Sequence, residues 1–150
     1  MMPSSKEISA ICITIEVEKE SVLFILLTED GTINRSGTGY EHNTENDLFI
    51  GITDKSLFFK LRELITDQML TNMGGYDVPD KKGKNCKLNI ALSFEGGHDN
   101  GFGFIYGSES QGPPKDICEI VEKAINITDP WYKKQKMMVK KSNKPWWKFW

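Results

Sequence analysis

The sequence predicts an α+β domain, an antiparallel sheet of about five strands in the order β-β-β-α-β-β-α with two helices on one face. Alternating apolar and polar residues indicate strands, and two apolar stripes at three- and four-residue spacing indicate helices. Residues 1–130 hold 21 acidic and 12 basic side chains, a net charge of −9, whereas residues 131–150 hold seven lysines and no acid. We therefore expect a single α+β domain over 1–130. A basic, tryptophan-rich tail over 131–150 should form a short helix and an extended end.

The first forty residues predict three strands. Apolar and polar residues alternate over residues 8–17, which is the period of a strand with one solvent-facing side. Residues 21–28 are more uniformly apolar, as expected of a central strand. Asp30-Gly31 then favours a tight turn, because glycine adopts the positive φ that such turns need. A weaker third strand is expected over 32–38.

The middle of the chain predicts one helix between two loops. Residues 40–51 are polar and are predicted to form a loop, after which Thr53 or Asp54 is expected to cap a helix. This helix should end near Asn72, before two glycines, and residues 76–85 should form a second loop. The apolar stripe of the helix consists of Leu57, Phe58, Leu61, Leu64, Ile65 and Met69.

The remainder of the body is predicted to contain two strands followed by a second helix. Residues 88–94 and 102–106 alternate between apolar and polar or small residues, so they predict a hairpin of two strands. Pro114 suits the first turn of the second helix, where its missing N–H costs nothing. The stripe of this helix consists of Ile117, Ile120, Val121, Ala124 and Ile125.

The C-terminal tail is the most unusual part of the sequence. Asp129-Pro130 is predicted to cap a short helix from Trp131 to about Lys141. All four tryptophans lie in the tail, and tryptophan is common both at bilayer interfaces and in protein-binding hot spots. The predicted partner or membrane contacts are Trp131, Tyr132, Lys133, Lys140, Lys144, Trp146, Trp147, Phe149 and Trp150.

Four roles stay open for this tail. It has the composition of a reversible anchor on an anionic membrane, because lysines attract the lipid headgroups and tryptophans enter the interface. Its aromatic residues could instead fold back over an apolar groove of the body, or enter a pocket of a protein partner. Stacking on single-stranded nucleic acid is the fourth role, but nucleic acid is the least favoured partner because the body is acidic.

No motif in the sequence indicates catalysis, a cofactor or a metal ion. Residues 95–101 contain His98 and two carboxylates, but glycine and asparagine in the same segment favour a hairpin turn. The glycines of residues 101–107 alternate with aromatic residues inside a strand, unlike those of a phosphate-binding loop. The three cysteines are widely spaced, so buried free thiols are expected. We predict neither catalytic residues nor bound cofactors.

The sequence therefore favours a non-enzymatic binding protein that neutralises or regulates a basic protein partner. In size and element order it resembles small bacterial immunity proteins, which neutralise toxins by binding them; the resemblance includes no shared motif. The alternative is a peripheral adaptor that binds the membrane surface through the tail. A small hydrolase that uses His98 and a nucleic-acid binder are less favoured. A polar start and the absence of long apolar runs predict a cytoplasmic location, with peripheral membrane association through the tail left open. Exposed strand edges also leave a homodimer open.

Overall fold

The computed structural model describes residues 3–40 and 42–142, with the backbone alone for residues 140–142. Seven strands and three helices follow a short 3-10 turn over Ser5–Glu7. The strands are β1 (Ile8–Val17), β2 (Glu20–Thr28), β3 (Thr32–Ser36), β4 (Phe49–Ile52), β5 (Gly74–Asp77), β6 (Asn85–Phe94) and β7 (Asp99–Gly107). The helices are α1 (Ser56–Arg62), α2 (Asp67–Leu70) and α3 (Lys115–Ser142).

All seven strands belong to one sheet with the spatial order β4-β3-β2-β1-β6-β7-β5. Neighbouring strands are antiparallel except β5, which pairs in parallel with β7. The predicted α+β class is confirmed. The prediction of about five antiparallel strands is wrong, because β4 and β5 extend the sheet at its two edges.

One face of the sheet forms the hydrophobic core together with the helices. Ile11 and Ile13 of β1 are fully buried, and the strand neighbours facing the same way share their cluster with residues of α1, α2 and α3. Cys12 and Thr14 alternate with them and face the other way, where side chains are only half-buried. The alternation in the sequence thus separates a helix-covered face from an open face.

The two edge strands replace parts of the loops predicted over 40–51 and 76–85. Both are only four residues long, and each contains glycine, so neither shows the alternation that indicates a strand. Gly74 and Gly75 belong to β5 instead of following a long helix. Pairing with β3 and β7 therefore forms these strands against weak local preference.

The helix predicted from Thr53 or Asp54 to about Asn72 is divided in two. The Asp54 carboxylate accepts a hydrogen bond from the N–H of Ser56 at 2.8 Å, close to the predicted start. Thr66 interrupts the helix with an extended backbone, and its hydroxyl accepts from the N–H of Met69 at 3.1 Å. Thr66 thus acts as the cap of a second short helix.

Helix α3 is continuous across Pro130, so the prediction that a separate helix begins at Trp131 is wrong. An internal proline costs about 3 kcal/mol, because it removes a backbone donor and crowds the preceding turn. Thr128 and Tyr132 are buried on either side of Pro130, at 0% and 2% exposure. Their tertiary contacts hold the helix together through this position.

Helix α3 crosses the sheet towards β4. Ile117, near its start, shares a groove with Phe102 of β7. Further along, Thr128 contacts Arg35 of β3, and Trp131 lies against Gly51 of β4. Within residues 3–40 and 42–142, no helix has the length and apolar character required to cross a bilayer.

Candidate functional site

The predicted contact residues have different positions in the structure. Lys133 is exposed, Trp131 packs against the hydrophobic core, and Tyr132 is only 2% exposed. Contrary to prediction, Tyr132 is not available to a partner or a membrane, because its ring packs against Phe49 of β4. Lys140 lies in α3 where only the backbone is described. The remaining predicted contacts lie outside the described residues: Lys144, Trp146, Trp147, Phe149 and Trp150.

Arg35 of β3 is a buried cation with 1% of its side chain exposed. Its Nη1 donates to Oγ1 of Thr128 at 2.7 Å and to Oδ1 of Asp129 at 3.0 Å, both on α3. Its Nε and Nη2 donate to the carbonyl oxygen of Gly37, at 3.1 and 3.0 Å. A buried charge is tolerated when it is paired and fully hydrogen-bonded. Arg35 therefore connects the third strand to the second half of α3.

Tyr132 lies at the centre of the same contact. The guanidinium carbon of Arg35 and the Nζ of Lys136 lie over its ring, 4.5 and 4.3 Å from the ring centre. Its hydroxyl accepts a hydrogen bond from the N–H of Gly37 at 3.0 Å. Burial, followed by the hydrogen bond to Glu45, raises the pKa of Tyr132 to about 12. The hydroxyl is therefore neutral near pH 7.

An ion pair joins the loop before β4 to α3. Both carboxylate oxygens of Glu45 accept from Nζ of Lys136 at 3.0 Å. The hydrogen bond from the Tyr132 hydroxyl is the main cause that lowers the pKa of Glu45, and the Lys136 ammonium adds to it. A carboxylate of the body thus neutralises one lysine of the predicted tail. We call Arg35, Glu45, Asp129, Tyr132 and Lys136 the α3 anchor.

The spacing of residues in the sequence indicates the α3 anchor, but only if the helix is taken to continue through Pro130. Ala124, Thr128, Tyr132 and Lys136 follow one another at four-residue steps, so they share one face of a continuous helix. The stripe that begins with core residues therefore continues into the tail. Its later members are the residues that bind α3 to the loops and strands at the β4 edge.

Strand β4 has one covered face and one exposed face. Phe49 contacts the Tyr132 ring edge-on, with ring centres 5.8 Å apart, and a Cβ on Gly51 would come within 2.8 Å of the Trp131 ring. The alternate residues Leu48, Ile50 and Ile52 point to the open face of the sheet, where they are 49%, 68% and 81% exposed. In the described part of the chain β4 pairs on one side only, with β3. We call these three exposed residues the β4 stripe.

Carboxylates lie at both ends of the β4 stripe. Asp47 precedes it, and Asp54 follows it, both exposed. Asp30 lies close by, because the N–H of Thr53 donates to the carbonyl oxygen of Gly31 at 2.8 Å. Hydrogen bonds, first from Thr28, lower the pKa of Asp30 to about 2, and the N–H of Ser56 lowers the pKa of Asp54.

The lowered pKa values keep Asp30 and Asp54 ionised near pH 7. The exposed cation Lys55 follows Asp54, so the surroundings of the stripe are acidic but not uniformly so.

The described residues place no metal-binding group beside His98, the histidine of the segment 95–101. His98 is exposed on the turn between β6 and β7, where its carbonyl oxygen accepts from the N–H of Phe94 at 2.8 Å. Among the described residues, no group of three or more histidine, cysteine, aspartate or glutamate side chains could hold a metal ion. His98 therefore has no supporting ligands or proton-transfer partners on that turn.

A groove of about 780 Å³ lies at the edge of the sheet opposite β4, between α2, β5, β7 and the start of α3. Tyr76 and Phe104 stack in it with ring centres 5.2 Å apart. Its polar lining residues are Asn72, Gln111, Lys115 and Asp116, which do not form the nucleophile and base of a hydrolytic site. The groove thus gives no indication of a reaction.

The most distinctive surface of the described residues is the β4 stripe, since it combines a free strand edge with exposed aliphatic side chains and flanking carboxylates. The chain matches no protein family, and no curated protein or solved structure is similar to it at a significant level.

Proposed function

We propose that the protein is a non-enzymatic binding protein that neutralises or regulates a basic protein partner through the β4 edge. The observation that carries this proposal is the exposure of Ile50 and Ile52, 68% and 81%, on a strand that pairs on one side only within residues 3–40 and 42–142. A free strand edge offers backbone donors and acceptors to an added strand. Exposed side chains at alternate positions then supply apolar contacts with the added segment.

We infer the chemistry of the partner segment from the geometry of the β4 edge. It is extended, with an apolar residue at every second position to cover the β4 stripe. Asp47 at one end and Asp30 and Asp54 at the other favour lysine or arginine at its ends. Opposite charges accelerate encounter and select among partners more than they increase affinity. The association rate should therefore fall as salt screens these groups.

The test is quantitative affinity capture from a native extract, with the partner identified and then titrated as a pure protein. The variant Ile50→Lys/Ile52→Lys places two cations in the stripe. Burying each isoleucine contributes about 1.5–3 kcal/mol, so the loss of both should lower the affinity by roughly a hundredfold or more. Charge repulsion from a basic partner adds to this loss.

The matched control is Ile105→Lys, which makes the same change on the same face of the sheet. Ile105 lies on β7, is 40% exposed and pairs with Lys87 and Asp77. We expect this variant to retain the wild-type affinity. Equal binding by the wild type and the double β4 variant would contradict the proposal.

A second candidate function is peripheral membrane binding through the end of α3 and the residues that follow it. Lys133 and Lys134 are exposed, and Met137 and Met138 are 61% and 54% exposed on the same helix. Cationic and apolar side chains together favour an anionic lipid surface. The supporting observation is this exposed end of a continuous helix.

Co-sedimentation with vesicles tests the membrane candidate. The full chain should bind vesicles containing anionic lipid but not neutral phosphatidylcholine vesicles, and truncation after Ser142 should abolish binding. Truncation after Pro130 is unsuitable because it removes Tyr132 and Lys136 from the α3 anchor. Binding that persists without residues 143–150 would show that those residues are not the anchor.

A further inference from the structure

We propose that two copies of the chain pack against each other through the open face of the sheet, related by a two-fold axis along β1. This inference goes beyond the proposed function, because it concerns the flat face of the sheet and not pairing at the backbone edge of β4. Three features support it: the composition of the open face, its division into a bulky and a small half, and its area.

The centre of the open face, on β2, β1 and β6, is uncharged. The helices cover the opposite face, and the outward residues of β1 here are Ala10, Cys12 and Thr14. Their cross-strand neighbours on β2 and β6, which include Leu26 and Ala91, are uncharged as well. The centre of a protein interface is depleted of charged residues in the same way. The open face therefore has the composition of a contact surface.

Large side chains lie on one side of β1 and small ones on the other. Strand β1 is the middle strand of the seven. On the side of β4, the row through Cys12 includes Leu26 and Ile50. On the side of β5, Cys12 pairs with Ala91 of β6, whose own neighbour on β7 is Gly101. The open face thus has a bulky half, over β2 to β4, and a small half, over β5 to β7.

The small half is concave, whereas the bulky half protrudes. Two shallow depressions of about 390 and 380 Å³ lie over the small half, and both are lined by Gly75, Asn89 and Gly103. A Cβ added to Gly75 would meet no atom within 4 Å. Ile50 and Ile52 stand out from the bulky half, at 68% and 81% exposure. The large side chains of one copy therefore fit the depressions of another.

A two-fold axis along β1 brings the two halves together. Rotation about this axis places β2 over β6 of the second copy, β3 over its β7 and β4 over its β5. A two-fold interface requires a surface that is complementary to itself. A bulky and a small half on either side of the middle strand meet this requirement. An unrelated protein would not require such a relation, so the second copy is the occupant that this face fits.

The area of the open face is sufficient for a stable dimer. Seven strands, about 4.8 Å apart, form a face roughly 29 Å wide. The uncharged positions 10 to 14 of β1 span about 17 Å along the strand. Two copies would together bury on the order of 1,000 Å², which is the size at which specific interfaces become stable. Stacked in this way, the two sheets form a sandwich with a layer spacing of about 10 Å.

Sedimentation velocity tests the inference, since we expect the full chain to form a dimer. Ala91 is exposed at the centre of the face, so Ala91→Glu places a charge in the interface and should weaken dimerisation at least tenfold. Gly75→Phe fills the depression opposite the second copy's β4 and should weaken it as well. The control Gln68→Glu adds the same charge at an exposed position of α2 and should leave the dimer intact. Far-UV circular dichroism establishes that each variant is folded.

Cross-linking tests the position of the axis. Because Cys12 lies on β1, the axis places the two Cys12 Cα atoms opposite each other at about the 10 Å spacing of packed sheets. This distance exceeds the limit of about 7 Å for a disulfide, but a short bismaleimide should link the two copies. We expect Cys12→Ser to abolish the link and Cys118→Ser to leave it unchanged.

Three results would overturn the inference. The first is a chain that stays monomeric up to its highest soluble concentration. The second is a dimer that neither Ala91→Glu nor Gly75→Phe weakens, which would assign the association to another surface, such as a strand edge. The third is a dimer in which Cys12→Ser does not reduce cross-linking, which would exclude an axis along β1.

The same variants separate this inference from the proposed function. The second copy and the basic partner both contact Ile50 and Ile52, so they should compete. Ala91→Glu leaves the β4 edge unchanged and should therefore bind the purified partner at least as tightly as the wild type. If a monomeric wild type binds the partner through β4, only the inference fails. If the dimer forms as described but Ile50→Lys/Ile52→Lys retains the partner, only the proposed function fails.

Discussion

The two edge strands of the sheet, β4 and β5, differ in the charged residues and prolines that lie on or near them. Strand β5 contains Asp77, which pairs with Lys81, and Pro79, which has no N–H to donate, follows the strand two residues later. The β4 stripe has neither charge nor proline, and Ile52 at its end is 81% exposed. Charge and proline are the usual means of preventing association between strand edges. The contrast supports the proposal that β4, and not β5, is a contact surface.

The packing that supports the two edge strands also differs, and it is more extensive behind β4 than behind β5. Behind β4, the α3 anchor joins β3, the loop before β4 and α3 through partly buried ion pairs and cation–π contacts. Behind β5, a groove of about 780 Å³ separates the strand from α2 and the start of α3. A rigid support reduces the entropy lost on binding, because the binding surface is already ordered. The exposed edge is thus the well-supported one.

The largest expected effect on this contrast comes from Arg35→Leu. The change leaves the partly buried Asp129 carboxylate and the Gly37 carbonyl oxygen without their cation. Breaking a buried pair on one side costs about 3–5 kcal/mol. We expect urea denaturation to show a loss of this size in the free energy of unfolding. Hydrogen exchange should become faster in β4 and the second half of α3 than in β5.

Arg62→Leu is the matched control for this prediction. Arg62 is half-buried on α1, donates to the carbonyl oxygen of Lys6 at 3.0 Å, and lies 4.8 Å from the centre of the Phe59 ring. Such a cation–π contact contributes about 0.5–1 kcal/mol. If both variants lost the same stability, or if β5 exchanged as fast as β4, the α3 anchor would not be the specific support of the β4 edge.

The long strands could be predicted from the sequence, whereas the two edge strands could not. Residues 8–17 and 88–94 alternate over enough positions to identify strands, and the structure confirms both. The two edge strands are four residues each and include Gly51, Gly74 and Gly75. Such short segments form because a neighbouring strand pairs with them, so their local sequence contains little information. The β4 stripe was missed for this reason.

The β4 stripe lies outside the predicted contact residues, and one of those residues, Tyr132, is buried. The aromatic and basic residues after Pro130 suggested a contact surface, and Lys133 is indeed exposed. Tyr132 is buried because α3 continues through the proline and maintains the spacing from Thr128. Local rules end a helix near proline, whereas the tertiary contacts of Arg35 and Lys136 extend it. The burial of Tyr132 therefore depends on residues about ninety positions earlier in the chain.

A smaller loss of stability should occur at both edges at alkaline pH. Burial is the main cause that raises the pKa of Tyr132 and of Tyr106 to about 12, from an ordinary value of 10. Tyr132 supports β4, and Tyr106 lies on β7 beside β5. Between pH 10 and 12 the folded chain retains protons that the unfolded chain loses. The stability that these groups contribute is therefore complete below pH 10 and is lost as the pH rises towards 12.

Urea denaturation from pH 8 to 12, with Tyr132→Phe and Tyr106→Phe, measures each contribution. Each variant should show a shallower decline of stability between pH 10 and 12, and the double variant the shallowest, because phenylalanine has no proton to lose. At pH 8, Tyr132→Phe should also cost about 1 kcal/mol for the hydrogen bond from the Gly37 N–H. Amide exchange at pH 8 should then become faster at the β4 edge alone. If the double variant declined as steeply as the wild type, other groups would cause the alkaline loss, and neither hydroxyl would contribute to it.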